Sequence, residues 1–368
     1  MPAQTLTRRG QEWVPVHGGG RPFMVGRDGL VAGVDKPTAQ TTGVLAGVTL
    51  TPVYPPAGSD TIVLSPGTYE NREYWGQVRV SGGQGSTATF RNCAFHGPSP
   101  DASIYDSLSG MVTNHHPSGN PPADPPYLSF YDSVFSALPW LEGHPNRPST
   151  PSNPERLSQT AGLHGGNFNL QRCEITGVQD GINLTTGGGT KFTIELSRIH
   201  GMLFRNNWFG PSDGRSHSDA IQFNRAKNVV IRGNIIGGER DMVGYRTWPG
   251  GYNSGDDAWN SGIMLKQESD NSDFYRIEFV LIEKNWIYGG TAGINFPYNP
   301  THPNLFASTV IRDNVFGLRG TGWRGSATDA GTYDTGNGWY IIRSSNLAAT
   351  ITGNIIEGTG SAVPIQNG

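Results

Sequence analysis

One short pattern recurs eight times along this chain and constrains its fold more than any other feature. Each copy has an apolar residue, two further residues, a small or polar pivot, one more residue and a second apolar residue. The positions three before and two after the pivot are Phe, Ile or Leu in all sixteen cases, although only 35% of the chain is hydrophobic. The eight pivots are Cys93, Ser133, Cys173, Ser197, Asn234, Asn285, Asn314 and Asn354.

The spacing of the pivots is irregular, at 40, 40, 24, 37, 51, 29 and 40 residues. Propellers and helical solenoids keep a steadier period. A β-helix tolerates the variation because loops leave a rung while its apolar positions stay packed on the rungs above and below, ~4.8 Å away. The sequence therefore predicts an all-β fold, a right-handed parallel β-helix with loop insertions, over residues 46–368. Residues 1–45 lack the repeat and are expected to form a short N-terminal attachment arm.

The pivot residues suggest how the rungs are joined. The last four are all Asn, whose stacked amides are expected to hydrogen-bond along the axis as an asparagine ladder. The chain's two cysteines, Cys93 and Cys173, occupy the same pivot position two rungs apart, beyond disulfide reach. We expect both to be buried free thiols, which agrees with folding in a cytoplasm. No apolar run is long enough for a signal peptide or a membrane span.

A second series of short strands falls between the pivots, and all seven of its members open on Gly or Ala before the first apolar position. Strand alternation predicts one column facing inward and the next facing outward. The predicted inward column is Met111, Leu163, Ile182, Ile221, Ile263, Ile294 and Trp339. The predicted outward column is Val112, His164, Asn183, Gln222, Met264, Asn295 and Tyr340.

The insertions leave the predicted rungs at one corner and are expected to collect on one side. Flat aromatic rings suit the C–H faces of sugars, while amide and imidazole groups bond hydroxyls. A carbohydrate-binding surface is one interpretation; the other is that the rings pack the loops onto the solenoid or line a protomer interface. The candidate binding residues are His164, Asn183, Gln222, Asn295, Trp248, Trp259, Trp323 and Tyr340.

Two carboxylates give the sharpest catalytic hypothesis. Asp180 and Asp219 precede the small residues of adjacent strands and should lie one rung apart. Carboxylates at about 5 Å suit the acid and nucleophile of a retaining glycosidase, with His217 as a proton carrier. The alternative is that both Asp side chains bond local backbone and that His217 is solvated. We expect no metal and no cofactor. A formal net charge of −3 gives no electrostatic footprint for nucleic acid.

Several runs of this sequence resemble a known family of proteins. The runs TIVLSPGTYENREYWGQVRV, ATFRNCAFHGP, LHGGNFNLQRCEITGVQDGINL and HSDAIQF with NVVIRGNIIGG resemble the pectate-lyase-like β-helix minor tail proteins of phages infecting actinobacteria. The likeness covers roughly residues 40–360. It implies a virion component at the tail tip or fibre, with host cell-surface polysaccharide and other phage tail proteins as partners and a homotrimer as the assembly. Two alternatives stay open: a polysaccharide hydrolase or lyase on the same scaffold, and a purely structural tail component.

Overall fold

Three long parallel sheets form the walls of the molecule. The computed structural model describes residues 5–9, 12–16, 30, 32–83, 85–102, 109–114, 125–152, 160–184, 191–204, 218–223, 226–237, 246–248, 252–254, 261–265, 277–288, 292–296, 308–317, 339–343 and 349–367. Each turn of the chain adds one strand to sheet III, then one to sheet I, then one to sheet II, and strands of successive turns pair in parallel. This is a right-handed parallel β-helix, so the predicted fold class is confirmed.

The strands of the three sheets are short, as expected for rungs. Sheet I comprises β4 (Thr61–Leu64), β7 (Gln77–Val80), β10 (Ser109–Asn114), β13 (Thr160–Gly165), β16 (Asp180–Leu184), β20 (Asp219–Phe223), β25 (Ser261–Leu265), β28 (Ala292–Asn295), β31 (Trp339–Arg343) and β34 (Ile365–Asn367). Sheet II comprises β5 (Gly67–Glu70), β8 (Thr87–Arg91), β11 (Tyr127–Tyr131), β14 (Phe168–Gln171), β17 (Phe192–Glu195), β21 (Ala226–Arg232), β26 (Ile277–Glu283), β29 (Thr309–Arg312) and β32 (Thr350–Thr352). Sheet III comprises β3 (Thr51–Val53), β6 (Arg72–Tyr74), β9 (Ala94–Phe95), β12 (Val134–Ser136), β15 (Glu174–Thr176), β18 (Arg198–Ile199), β22 (Ile235–Ile236), β27 (Trp286–Ile287), β30 (Val315–Phe316) and β33 (Ile355–Ile356).

Smaller elements lie outside these walls. Strands β1 (Thr5–Arg9) and β2 (Glu12–Val16) form an antiparallel hairpin. Strands β19 (Leu203–Phe204), β23 (Arg246–Trp248) and β24 (Tyr252–Ser254) form a small antiparallel sheet. Helix α1 (Leu138–Glu142) ends at Gly143, which has a left-handed backbone. In the described part of the chain, no helix has the length and apolar character needed to cross a membrane.

The corner between sheets II and III explains the rigid spacing of the repeat. At each of the eight copies, the residue just before the pivot has φ between 49° and 66°, a left-handed conformation that turns the chain in one residue. Six of these residues are not glycine, so the corner is imposed by the stacked rungs. The eight are Asn92, Asp132, Arg172, Leu196, Gly233, Lys284, Asp313 and Gly353.

The pivots form the predicted ladder. The Nδ2 group of Asn234 donates to Asn285 Oδ1 at 2.9 Å, and the backbone N–H of Asn234 donates to the same oxygen at 3.0 Å. The same pair of bonds joins Asn285 to Asn314 and Asn314 to Asn354. The asparagine ladder is therefore confirmed as a continuous buried column.

The earlier pivots use smaller groups in the same place. The backbone N–H of Cys93 donates to Ser133 Oγ at 3.2 Å, and that of Cys173 donates to Ser197 Oγ at 3.0 Å. Both cysteines are buried and unbridged, as predicted. Burial raises the pKa of the Cys93 thiol to about 11 and that of Cys173 to about 12.

The apolar flanks of the pivots fill the interior. Fourteen of the sixteen flanking side chains are no more than 2% exposed. The other two, Ile351 and Ile356, belong to the last rung and are half-buried. A ninth copy of the motif, missed in the sequence, precedes the others: Tyr69 and Tyr74 flank pivot Arg72 and stack on Phe90 and Phe95 at ring distances of 5.3 and 5.1 Å. Tyr and Arg at the defining positions concealed it.

The register of sheet I corrects two rungs of the second series. Val112, predicted to face outward, aligns with Leu163, and Thr113 aligns with His164. A slip of one residue exchanges the two faces of a strand. The predicted inward residue, Met111, is also fully buried, but it packs beside Gly97, where a Cβ would lie 3.0 Å from its Cγ. Gly97 therefore leaves room for the Met111 side chain, while Val112 takes the register position that the sequence pattern assigned to Met111.

At the other end of sheet I the prediction is displaced by two residues. Ile341 aligns with Ile294 and Ile342 with Asn295, while Trp339 aligns with Ala292. The sequence pattern aligns Gly338 with Gly293, but β31 begins at Trp339, level with Ala292, so the common register is reached two residues later than the pattern predicts. The predicted column positions of Trp339 and Tyr340 are therefore wrong, and Tyr340 lies level with Gly293.

Part of the predicted arm runs along the outside of sheet III. Lys36 Nζ lies 3.4 Å from Glu357 Oε1 and 4.6 Å from the centre of the Tyr288 ring, both near the C-terminal rungs. Further along the segment, the N–H of Gly43 donates to the carbonyl of Arg172 at 2.9 Å, in an earlier rung. Residues 32–50 thus follow the solenoid from its late rungs to its early ones before β3 begins.

Candidate functional site

Sheet I carries an ordered set of polar side chains on its outer face. Pairing between neighbouring strands aligns one residue from each of five successive rungs, which we call the polar stripe: Arg79, Thr113, His164, Asn183 and Gln222. The same column continues through Met264, Asn295 and Ile342. With rungs ~4.8 Å apart, the stripe spans about 19 Å along the axis.

Accessibility differs along this column. His164, Gln222 and Asn295 are half-buried and present surface, as their predicted binding role requires. Asn183 is only 1% exposed although its neighbours Ile182 and Leu184 face inward. Thr113 and Met264 are also buried, at 6% and 8% exposed, so the surface of this column comes from its half-buried members. Arg79 is half-buried, and its Nε is buried with no hydrogen-bond partner among the described residues.

The aromatic candidates are only partly within the described chain. Trp248 lies in β23, where its backbone pairs with Tyr252 of β24. Strand β24 also pairs with β19, so the described strands of two insertions, residues 201–218 and 238–260, lie against each other. Trp259 and Trp323 lie outside the described residues, and Tyr340 lies outside the column in which it was predicted.

The two candidate catalytic carboxylates lie on adjacent rungs. The register of β16 and β20 sets Asp180 beside Asp219, as predicted from the sequence. Each is 2% exposed, and the backbone N–H of Asp219 donates to Asp180 Oδ1 at 3.0 Å. This bond agrees with the alternative interpretation, in which the Asp side chains accept hydrogen bonds from nearby backbone. It also occupies one of the carboxylate oxygens that a catalytic role would need. His217 lies outside the described residues, so the catalytic role stays a prediction.

A cluster that the sequence did not reveal lies on the outer side of sheet III, beneath the insertion that contains α1. Glu73 is 2% exposed, and its Oε1 is 3.0 Å from His96 Nε2 and 3.5 Å from His144 Nδ1. Its other oxygen accepts a bond from Asn146 Nδ2 at 2.7 Å. The insertion, through His144 and Asn146, is therefore tied to a buried carboxylate of an earlier rung.

The electrostatics of this cluster are well defined. Burial acts to raise the pKa of Glu73, but bonds from His96 and Asn146 and the nearby imidazoles hold the pKa below its usual value. The other ring nitrogen of His96, Nδ1, faces the carbonyl of Ser136 at 2.9 Å. Both ring nitrogens of His96 thus lie within hydrogen-bonding distance of an oxygen atom, one of Glu73 and one of Ser136.

Two tryptophans enclose the cluster. The ring centroids of Trp75 lie 4.3 Å from His96 and 5.1 Å from Trp140, and both tryptophans are 1% exposed. The sequence signal was weak because the partners come from three rungs and an insertion of irregular length. Such burial favours a structural role, as an anchor for the insertion. In the described part of the chain, no three His, Cys, Asp or Glu side chains form an arrangement that could hold a metal ion.

Comparison with known proteins adds one likeness of fold. No protein-family model matches the chain, and no curated protein matches it. Among solved structures, the chain is similar to the A-module of the mannuronan C-5 epimerase AlgE6 from Azotobacter vinelandii. The two are 11% identical over 84% of this chain and 86% of that one, with a TM-score of 0.28. At that score the likeness carries no argument about function, and the fold is argued from the strand pairing described above.

Proposed function

We propose that this protein is a minor tail protein of a phage infecting actinobacteria, at the tail tip or fibre, and that it binds a host cell-surface polysaccharide along sheet I. The observation that carries the binding role is the polar stripe, in which the half-buried side chains of Arg79, His164 and Gln222 share one face of sheet I. Asn295 continues the same column and is half-buried too. Rung spacing is close to the length of a sugar residue. An extended glycan lying along the axis therefore passes about one rung per sugar and is bonded at the rungs whose stripe residue is accessible.

The expected affinity is built from many weak contacts. Each hydrogen bond contributes about 0.5–1.5 kcal/mol net, so one rung alone binds poorly. Several rungs, and several protomers in a homotrimeric virion fibre joined to other tail proteins, raise the avidity without any new contact. The resemblance to phage tail proteins supplies the biological setting of this proposal, and the stripe supplies its chemistry.

The test removes two accessible members of the stripe. The double variant His164→Ala with Gln222→Ala is expected to bind labelled actinobacterial cell-wall polysaccharide at least about fivefold more weakly, since two hydrogen-bonding side chains are lost. The matched control is Asn169→Ala with Thr193→Ala, a half-buried polar pair on adjacent rungs of sheet II. Equal binding by wild type and both double variants would count against the stripe as the glycan site.

A second experiment examines the insertions. Replacing Trp248 and Trp259 together by Ala is expected to weaken adsorption of the protein to actinobacterial cells while leaving the melting temperature unchanged. Unchanged adsorption would move the binding role away from the insertion 238–260. Absence of any glycan or cell binding by the wild type would favour the purely structural tail component.

The neighbouring carboxylates support one alternative function, a polysaccharide depolymerase on the same face. Asp180 and Asp219 lie on adjacent rungs of the sheet that carries the stripe. Incubation with cell-wall polysaccharide would then release new reducing ends or unsaturated uronates. If Asp180→Asn or Asp219→Asn abolished that release while binding persisted, the enzyme would replace the adhesin as our conclusion.

A further inference from the structure

A second column lies beside the polar stripe, at the corner between sheets I and II. Register within sheet II aligns the residues that immediately precede Phe168, Phe192, Val229, Val280 and Thr309. In the rung of His164, the corner residue follows only three positions later, so the two columns run side by side. This corner column is Asn167, Lys191, Asn228, Phe279 and Ser308.

Phe279 is exceptional within the corner column. Its φ is 56°, close to the 59° of Asn167 and the 56° of Asn228. Asparagine tolerates this left-handed conformation, but for a bulky residue it is strained. Residues on both sides of Phe279 are paired to the previous rung, and its N–H donates to Ser308 Oγ at 2.9 Å. Three of the five corner residues share this left-handed backbone; two of them are Asn, and the third is Phe279.

The strained residue is also the exposed one. Phe279 is 62% exposed, so its ring is not held there by burial in the core. A residue that is strained and gains little from burial is a candidate for a role in binding.

The stripe changes character at the same rung. Reading along the axis, the stripe and corner residues of successive rungs are paired as His164 with Asn167, Asn183 with Lys191, Gln222 with Asn228, Met264 with Phe279, and Asn295 with Ser308. Four of the five pairs are polar at both positions. One rung is apolar at both, and it lies within the polar face instead of at its end.

The surroundings of the ring indicate the kind of ligand. Glu278, next to Phe279, forms an ion pair with Lys227 at 3.2 Å, and Ser308 and Asn295 follow on the next rung. The centre of a protein interface is depleted of charged residues, which does not match one ring among polar groups. A pyranose matches it, because its C–H face stacks on an aromatic ring while its hydroxyls bond polar neighbours.

We propose that the exposed ring of Phe279 is an apolar subsite for one sugar ring of the bound polysaccharide, on the rung where the stripe residue Met264 is buried, and that Phe279 is held in a strained conformation to present its ring there. This inference rests on the proposed glycan-binding function. It assigns one sugar of the extended chain to a stacking contact and the sugars on the flanking rungs to hydrogen-bonding contacts.

The test compares stability and binding in the same variants. Phe279→Asn restores the residue type found at Asn167 and Asn228, so we expect a higher melting temperature than wild type. Binding of labelled actinobacterial cell-wall polysaccharide should weaken by about 2- to 12-fold, the loss of one aromatic contact. Phe279→Tyr, which keeps the ring, should bind like wild type. The control is Val34→Asn, which removes an apolar residue of comparable exposure, 70%, from the segment 32–50.

Each outcome bears on the inference separately from the proposed function. If the wild-type protein does not bind the polysaccharide, both the proposed function and the subsite are overturned. If the wild-type protein binds and Phe279→Asn binds equally well, only the subsite is overturned. A lower melting temperature for Phe279→Asn overturns the strain argument, and dissociation of an oligomer by that variant assigns Phe279 to an interface between copies, which also overturns the subsite.

Discussion

The early and late rungs of this solenoid build one architecture from different side chains. In the early rungs the interior is aromatic: Phe90 stacks on Phe130 at 5.0 Å and Phe95 on Phe135 at 4.8 Å, with ring planes within 10° of parallel. In the late rungs the same positions are isoleucine, apart from Phe316. The early interior is therefore filled by a few large rings, and the late interior by interlocking branched chains.

The pivots change together with the core. Early rungs use Cys and Ser, and the single side-chain oxygen of each Ser accepts one N–H from the rung before it. Late rungs use Asn, whose oxygen accepts two bonds from the rung before it and whose nitrogen donates to a carbonyl as well as to the next Asn. Hydrogen bonding across rungs thus increases where aromatic stacking disappears. Both regions therefore share the left-handed backbone corner before the pivot. They differ in what joins the rungs, which is mainly aromatic packing in the early region and side-chain hydrogen bonding in the late one.

The largest effect is expected from a charge placed in the late core. Ile282→Asp would bury an unpaired carboxylate at a position with 0% exposure and should cost several kcal/mol or prevent folding. Leu281→Asp is the matched control, because Leu281 is half-buried and faces the other side of the same strand. Chemical denaturation of both variants measures the difference. Similar stability of the two would mean that the inward assignment is wrong.

The ladder itself gives the next largest effect. Asn285→Ala removes the bond to the Ile231 carbonyl and those to Asn234 and Asn314, leaving buried groups unpaired. Each unsatisfied group costs about 1–3 kcal/mol. Ser197→Ala, in the smaller-pivot region, removes one acceptor for Cys173 and one donor to the Glu195 carbonyl. We expect Asn285→Ala to be the more destabilising in urea unfolding. Equal losses would show that the two kinds of pivot are equivalent.

The ladder and core could be predicted from the sequence because they depend on fixed short spacings. Ile282 lies three positions before Asn285, whatever loop follows. The register of sheet I was less predictable, because it depends on where the chain returns after an insertion; Val112 and Tyr340 were misplaced for this reason. The Glu73 cluster was not predictable at all, since contacts with His96 and His144 join positions 23 and 71 residues apart through two different loops. Phe279 could not be singled out from the sequence, because its left-handed φ and its alignment with Asn167 and Asn228 are visible only in the structure.

A third contrast concerns acid stability. In the early region, Glu73 is buried beneath an insertion, and bonds from His96 and Asn146 keep its pKa low. In the late region, Glu283 accepts bonds from Arg312 and Arg232 on the outside of sheet II, and these keep its pKa low too. A carboxylate with a lowered folded-state pKa stabilises the protein above its unfolded pKa, and that contribution is lost as the pH falls through the folded pKa. Melting temperature should therefore drop between about pH 5 and the lower folded-state values.

Two variants separate the contributions of these regions. Glu73→Gln and Glu283→Gln should each make the melting temperature less dependent on pH in the acid range. Glu73→Gln should be the more destabilising at neutral pH, because His96 is buried with its partner whereas Arg312 is 48% exposed on its side chain and can be solvated. Melting curves from pH 7 to pH 3 provide the measurement. An acid-range slope identical to wild type in both variants would assign the acid sensitivity to other groups.

The smallest effect is expected from changing one kind of small pivot into the other. Ser133 and Ser197 each donate from Oγ to the carbonyl two residues earlier, at 2.9 Å. The thiols of Cys93 and Cys173 lie 3.3 and 3.6 Å from the equivalent carbonyls of Arg91 and Gln171. A serine hydroxyl at either cysteine position therefore meets an acceptor already in place. Cys93→Ser and Cys173→Ser should each change stability by less than about 1 kcal/mol, the net value of one hydrogen bond.

The same cysteines report whether the two regions open together. Burial raises both thiol pKa values, so almost no thiolate is present at pH 8 and a thiol reagent labels them only when the early rungs open. In a solenoid each rung contacts chiefly its neighbours, so damage at one end need not open the other. Asn285→Ala should therefore leave the labelling rate of Cys93 close to that of wild type, while Ser133→Ala, which removes the acceptor of the Cys93 N–H, accelerates it. Equal acceleration by both variants would show that the solenoid opens as one cooperative unit, in spite of its two kinds of core.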